Sequence, residues 1–432
     1  MSTDHDSAEI TKHDSSAEDP ASLIVFSDDW GRHPSSCQHL IRQLLPRYNV
    51  LWVNTIGMRT PRLNMATVRR CIEKLKQWVS GGSRGVTDST EQTHAGLTVV
   101  NPRMWPWFSR PADRRFNAWL LQRQLSPLIA ELPQPVSAVT TLPITADLPG
   151  RLPVCRWLYY CVDDFSKWPG LDGRTMQRMD EQMIQAADSI VAVSENLQHR
   201  ISRYGRDSHL LTHGVDLAHW GAASERCRNP TRDDAIDFWN RQLPAGSCSE
   251  SGPTAVFWGV VDRRLDTAML TSLSQQMSHG NIMLIGPQQD PDEAILRLPN
   301  VHALGPRKFG DLPQLAGFAD VLIMPYADLP VTRAMQPLKM KEYMATGRPV
   351  VVSALPAVLE WDDCLDVTTS PAEFAATVLR RVATGIDQRQ QQARRRLNQQ
   401  SWSTRARQLA TYLRLSEKTE HVATDLPVLH RR

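Results

Sequence analysis

Short apolar runs recur along this chain, each followed by a stretch with helical spacing. Leu23 to Phe26 reads as a buried strand, 27–36 as a loop, 37–45 as a helix and Tyr48 to Thr55 as the next strand. Further strands are expected at Leu97–Val100, Ser137–Thr140, Cys155–Cys161, Ser189–Val193 and His209–Thr212, with helices between them such as Gly173–Ala187. After Val215 the pattern lapses into irregular, charged and Gly/Ser/Pro-rich sequence over 216–252. A second series then opens with Thr254–Val261 as its first strand, followed by "NIMLIGP", "VHALG", "DVLIMPY" and "RPVVVSA". Nearly continuous apolar strands alternating with helices imply parallel sheets covered on both faces. The expected architecture is α/β: two consecutive Rossmann-like domains facing a cleft.

The division expected from this pattern is a polar tail over 1–20, a first domain over 21–215 and a linker over 216–252. A second domain follows over 253–400, then a helix at 401–416 that returns to the first domain, and a tail over 417–432. The tails are acidic or polar and read as disordered.

One segment concentrates the chemistry. In "QPLKMKEYMATGRPVVV", Pro337 suits a helix start, Gly347 suits the left-handed residue that ends it, and Val350–Val352 reads as a buried strand. The start of such a helix carries free N–H groups and partial positive charge, which attract phosphate. Lys339 and Lys341 add to that charge. Glu342 lies one turn in, where a carboxylate suits a pair of sugar hydroxyls. A capped helix with solvated charges would look the same.

Composition narrows the classes. The chain has 432 residues and a net charge of +3, which is no global nucleic-acid signature. Seven scattered cysteines form no C-x-x-C pair, and an odd number argues against a disulfide framework, so reduced thiols in a cytoplasm are expected. Two stretches are locally basic. Residues 59–85 carry seven Arg/Lys against Glu73, and 103–123 carry five Arg against Asp113, interleaved with Trp105, Trp107, Phe108, Phe116 and Trp119. Basic residues with aromatic wedges suit an anionic lipid surface, and 59–123 is the expected contact with the inner face of a membrane. Ordinary packing with solvated arginines is the competing account.

The ordered set of motifs resembles GT-B glycosyltransferases, in particular bacterial polysaccharide enzymes of the teichuronic-acid type and related family 4 members. Its carriers are Pro337-Leu338-Lys339 with Glu342-Tyr343 and Gly347-Arg348-Pro349, together with "YYCVDDFSKW", "AADSIVAVSENL", "THGVD", "FWGVVDRRLD" and "LPNVHALGPRKFGDLPQLAGFADVLIMPY". The likeness spans roughly 21–415. It implies a nucleotide-sugar, UDP- or GDP-linked, held by the second domain, and a saccharide or lipid-linked acceptor held by the first. No cofactor or metal is implied, since helix and basic side chains balance the diphosphate. Glu342 becomes the expected ribose ligand. Arg263 or Arg264, Lys339, Pro337, Leu338 and the strand-end Gly259 become the expected surroundings of the diphosphate, and Gln336 the expected donor contact that stands in part for a glutamate missing at Ala334.

On the first domain, Gly31 in "SDDWGRHPSS" sits in the first strand-to-helix loop, where ligands meet such sheets. His33 shares that loop and is a catalytic candidate. Asp163 and Asp164 end a strand and suit a base for the acceptor hydroxyl, although helix capping is an equally natural use for them. One departure stands out. Many such enzymes carry a glutamate eight positions before the second one, and here Ala334 occupies that place. A sugar-nucleotide 2-epimerase of the same fold and an inactive sugar-nucleotide-binding scaffold are the alternatives.

Overall fold

The computed structural model describes residues 21–31, 35–54, 95–168, 170–226, 230–243 and 252–414. His33, both tails and the whole of the basic stretch 59–85 lie outside the described residues.

The first domain is a parallel sheet of seven strands: β1 (Ser22–Ser27), β2 (Asn49–Asn54), β3 (Leu97–Val100), β4 (Val136–Thr140), β5 (Arg156–Cys161), β6 (Ser189–Ala192) and β7 (His209–Leu210). Their spatial order is β3-β2-β1-β4-β5-β6-β7. Every residue of β1 and β4 is buried, as expected of strands covered on both faces. Because β1 pairs with β2 on one side and β4 on the other, the crossovers reverse direction there. The loops after β1 and β4 therefore diverge and leave a crevice at the carboxyl edge of the sheet.

The second domain repeats the plan. Its main sheet holds β8 (Thr254–Trp258), β10 (Asn281–Ile285), β12 (Val301–Gly305), β13 (Val321–Met324), β14 (Val350–Ser353) and β15 (Asp366–Thr368), in the order β12-β10-β8-β13-β14-β15. Its reversal lies between β8 and β13. The expected single strand over 254–261 is broken at Gly259, and its remainder, β9 (Val261–Asp262), pairs instead with β11 (Gln288–Gln289). The break has a steric origin. Gly259 and Gly286, at φ +156° and +145°, lie so close that a Cβ on Gly286 would stand 1.7 Å from the Gly259 carbonyl oxygen. Two bare backbones meet where a straight strand would have continued.

Residues 216–252, expected to be irregular, contain helices at Leu217–Arg226 and Arg232–Asn240. Thr231 and Asp234 cap the second helix reciprocally. Trp220, Phe238 and Trp239 anchor the pair in the core of the second domain, so tertiary burial overrides a charged, weakly patterned sequence. The helix Trp402–Tyr412 crosses back and buries Trp402, Ala406, Leu409 and Ala410 in the core of the first domain. At the junction His39 stacks on Trp402 at 4.7 Å and lies 5.6 Å from Phe309 of the second domain.

Candidate functional site

The carboxyl edge of the second sheet is built from bare backbone and cations. β8 ends at Trp258, and the side chain of Lys339 crosses the next residue, Gly259: a Cβ there would lie 3.0 Å from Lys339 Cε and 3.1 Å from Nζ. Lys339 belongs to the helix Leu338–Ala345, whose start is thereby brought to the strand end. Tyr343 pins the helix in place. Its hydroxyl accepts from the Trp258 backbone N–H at 2.8 Å and donates to the Trp258 carbonyl at 3.1 Å. Glu342, one turn on from Lys339, is 5% exposed and accepts from Trp258 Nε1 at 3.4 Å. Trp258 in turn stacks on Trp220 at 5.3 Å. Burial pushes the Glu342 carboxyl up to about 7, against the pull of Lys339 and the indole bond. A buried carboxylate beside one weak donor retains acceptor capacity, which a hydroxyl pair would satisfy.

The neighbouring arginines diverge. Arg264 is mostly buried, is bound by Nε to both oxygens of Asp262 at 3.0 Å, and lies 5.4 Å over the Trp168 ring of the first domain. Its charge also acts on the carboxyl of Asp163, just past β5 of the first domain. Arg263 points outward to Asp290 in an ion pair whose side chains are 67% and 80% exposed. Of the two, Arg264 is the one that looks into the cleft.

The carboxyl edge of the first sheet is acidic, and most of its acids are occupied. Asp28 accepts from Ser27 Oγ, Ser35 Oγ and Gln38 Nε2 at 2.8–2.9 Å, which knots the loop after β1. Gly31, at φ +79°, donates its N–H to Gln38 Oε1 in the same knot. Asp164 caps the turn Phe165–Lys167, accepts from Ser166 Oγ, and pairs with Lys167 at 3.1 Å and Arg200 at 3.7 Å. Burial opposes its ionisation, but the Ser166 bond and the two cations outweigh that and hold it below the ordinary carboxylate range. Asp163 differs. Burial pushes it up to about 7; Arg264 pulls it down and Asp164 adds to the rise. Adjacent acids with pKa values driven apart have one structural member and one able to take up a proton.

The remaining expected residues lie at the junction between domains. Leu338 packs against the first domain's core, and Gln336 is buried with its backbone hydrogen-bonded to the His213 ring. Pro337 stands one residue before the helix, as its cap. Lys341 departs from the sequence expectation of phosphate-directed charge. Its ammonium is 2% exposed and donates to Thr212 Oγ1, the His213 carbonyl and Gln400 Oε1 at 2.6–3.2 Å. Helical spacing turns it away from Lys339 and onto the interdomain strap. Burial, with Arg405 nearby, pulls it down to about 7.

Sequence reasoning missed Trp258, Trp220, Trp168 and Arg200. An aromatic at a strand end gives no signal distinct from core, and Arg200 sits within an ordinary helix Glu195–Ser202. Gly286, the glycine of "LIGP", carried a signal in its place just past the strand end. Among the described residues no group of three or more His, Cys, Asp and Glu is placed to hold a metal ion.

With this geometry in view, known proteins supply the frame. The fold matches sucrose-phosphate synthase from Thermosynechococcus elongatus (TM-score 0.63, 16% identity, 90% of this chain and 97% of that one). It also matches Anabaena Alr3699/HepE in complex with UDP-glucose (TM-score 0.62, 15% identity, 91% and 99%). Residues 263–383, which carry Arg264, Lys339 and Glu342, match the family described as Glycosyl transferases group 1. The chain is a glycosyltransferase of the GT-B fold. The glycosyltransferase is 24% identical over 394 residues to the putative teichuronic acid biosynthesis glycosyltransferase TuaH of Bacillus subtilis (strain 168), covering 82% of this chain and 93% of that one. The matched family segment begins at Arg263, directly after the broken strand, and takes in the whole basic edge of the glycosyltransferase's second domain.

Proposed function

We propose that the enzyme transfers a sugar from a UDP-sugar to a saccharide or lipid-linked saccharide acceptor in the synthesis of an envelope polysaccharide. The observation that carries the donor reading is the convergence of Gly259, Lys339 and Glu342 at one strand end, with Arg264 on the cleft side. Bare backbone lets a diphosphate approach closely, and Lys339 and Arg264 supply positive charge as the leaving group departs. Glu342 takes the ribose hydroxyls. HepE, solved with UDP-glucose, and TuaH, named for teichuronic acid biosynthesis, support the choice of donor and pathway class.

On the acceptor side Asp163 takes the proton. As the acceptor oxygen forms its bond to the anomeric carbon, that carbon's bond to the diphosphate oxygen breaks, and the electron pair leaves on UDP. Incubation of a UDP-sugar with candidate acceptors tests this. UDP should be released, and the sugar should appear on the acceptor, only when an acceptor is present. Sugar isomerisation of donor alone would favour the epimerase, and no turnover under any condition the inactive scaffold.

A membrane reading has its own observation. On the helix Pro111–Ala130, Phe116 and Trp119 are 43% and 48% exposed and stack at 5.9 Å, with Arg115 beside them and Arg123 over Trp119. Ser109, just before that helix, donates to Asp172, which caps the helix following the Asp163 loop. A lipid-linked acceptor docked there lies on the cleft's own domain. Among the described residues no helix is long and apolar enough to cross a membrane; the attachment proposed is peripheral, at the cytoplasmic face. The enzyme should sediment with anionic vesicles, less so at high salt, and Trp119→Ala should weaken it. Equal sedimentation with neutral vesicles would remove the electrostatic part.

A further inference from the structure

Beside Asp164 the cleft widens into a cavity of about 500 Å³ with a wall from each domain. Lys167, Arg200 and Arg203 line the first-domain wall, and Arg333 and Ala334 the second. Asn196 Nδ2 donates to the Arg333 carbonyl at 3.1 Å and joins the two. Four cationic side chains thus share the cavity with two carboxylates, and both carboxylates are committed. Asp164 is held by Ser166, Lys167 and Arg200; Asp328 is held by Arg333. Arg203 has no ion pair or side-chain hydrogen bond among the described residues. Arg200 is anchored through Nε to Asp164 and through Nη2 to Asp180, which leaves its Nη1 buried without an acceptor. A buried N–H in that state is costly, and an oxygen from a ligand would relieve it.

Ala334 bears on the same point. At Arg333 and Ala334 this wall presents a guanidinium and a methyl group. A carboxylate at that position would repel a negative ligand, whereas the methyl group leaves Arg203 and the Nη1 of Arg200 as the cavity's uncommitted positive groups.

We propose that this cavity binds the anionic group, carboxylate or phosphate, of a charged acceptor saccharide, so that the enzyme prefers acidic acceptors over neutral ones. The proposal rests on the acceptor lying against the first domain. Asp164, the chain neighbour of Asp163, lines the cavity, and on this proposal the hydroxyl of an acceptor held there by its charge lies on the Asp163 side. Guanidinium groups suit either anion, because their planar forks bond two oxygens at once.

Calorimetric titration of the full chain, with and without UDP and at constant ionic strength, tests it with glucuronate, inorganic phosphate and glucose as probes. The variants are the Arg203→Gln/Arg333→Gln pair and Ala334→Glu. Arg200 is left intact because it holds Asp164 and Asp180. One of the two anions should bind about tenfold tighter than glucose, and should lose about fivefold or more in each variant. Glucuronate as the tighter probe assigns a uronic-acid acceptor, and phosphate assigns a phosphorylated one. Both anions binding no better than glucose, or binding unchanged by the variants, overturns the proposal. UDP titrated into the same samples separates the two readings. Its failure to bind would remove the donor site and leave the anion result standing.

Discussion

The two sheet edges that face the cleft have the same topology and opposite chemistry. On the second domain, strands run into glycines that touch backbone to backbone, and Lys339 lies over Gly259 with Arg264 on the cleft side. On the first domain, loops end in aspartates, and Asp28 and Asp164 are consumed in holding their own turns. The difference teaches that a reversal point in a parallel sheet supplies a crevice and nothing more. What the crevice binds is set by whether the loop ends are left bare or knotted. The bare, basic edge can receive a diphosphate. The knotted, acidic edge leaves one carboxyl, Asp163, outside the knots.

The largest effect expected from that contrast falls on Asp163. Asp163→Asn should lower kcat for transfer by about 10²- to 10⁴-fold, the range of a lost acid–base group, while UDP affinity stays as in wild type. A loss of UDP affinity of similar size would place Asp163 on the donor side and break the comparison. The base acts in its ionised form, and burial has raised its carboxyl to about 7. Below that pH the group is protonated and idle, so kcat/KM should climb as pH rises through about 7 and then level. Glu342 is raised to the same region, so the two must be separated. UDP binding measured against pH reports Glu342, and the remaining rise in rate reports Asp163.

A smaller effect sharpens the donor half. Arg264→Ala should cost about 10²-fold in kcat, of the order of one lost transition-state donor, because its guanidinium faces the cleft. Arg263→Ala, one residue away, should change kcat by no more than about twofold, since exposed ion pairs couple weakly to their surroundings. Steady-state kinetics on the two variants decides. A reversed order would mean that the loop after β9 rearranges when donor binds.

How much of this was legible in the sequence follows from which forces act locally. Most strands of both sheets were readable because buried parallel strands are apolar along their length, and Leu97–Val100 appears with the bounds that its run suggested; β15 was not expected, because its three residues Asp-Val-Thr hold a single apolar side chain. The helix carrying Lys339 and Glu342 was legible from Pro337 and Gly347. The break at Gly259 was hidden, because it depends on Gly286, 27 residues on, meeting it in space. The helices at 217–240 were hidden because three aromatics buried in the second core stabilise them and their own pattern does not. Lys339 and Lys341 could not be told apart in sequence. Two positions of helical rotation send one to the strand end and the other to Thr212, His213 and Gln400. Likewise the pair Asp163-Asp164 gave both candidates equally, and only the partners of Asp164 separate them.

The central claim is that the donor belongs to the bare edge alone. Calorimetric titration of UDP into wild type, Glu342→Ala and Asp163→Asn tests it most directly. The account predicts tight binding to wild type and Asp163→Asn, and a loss of about tenfold or more in Glu342→Ala with the protein still folded. Unchanged affinity in Glu342→Ala, or a loss confined to Asp163→Asn, would contradict it.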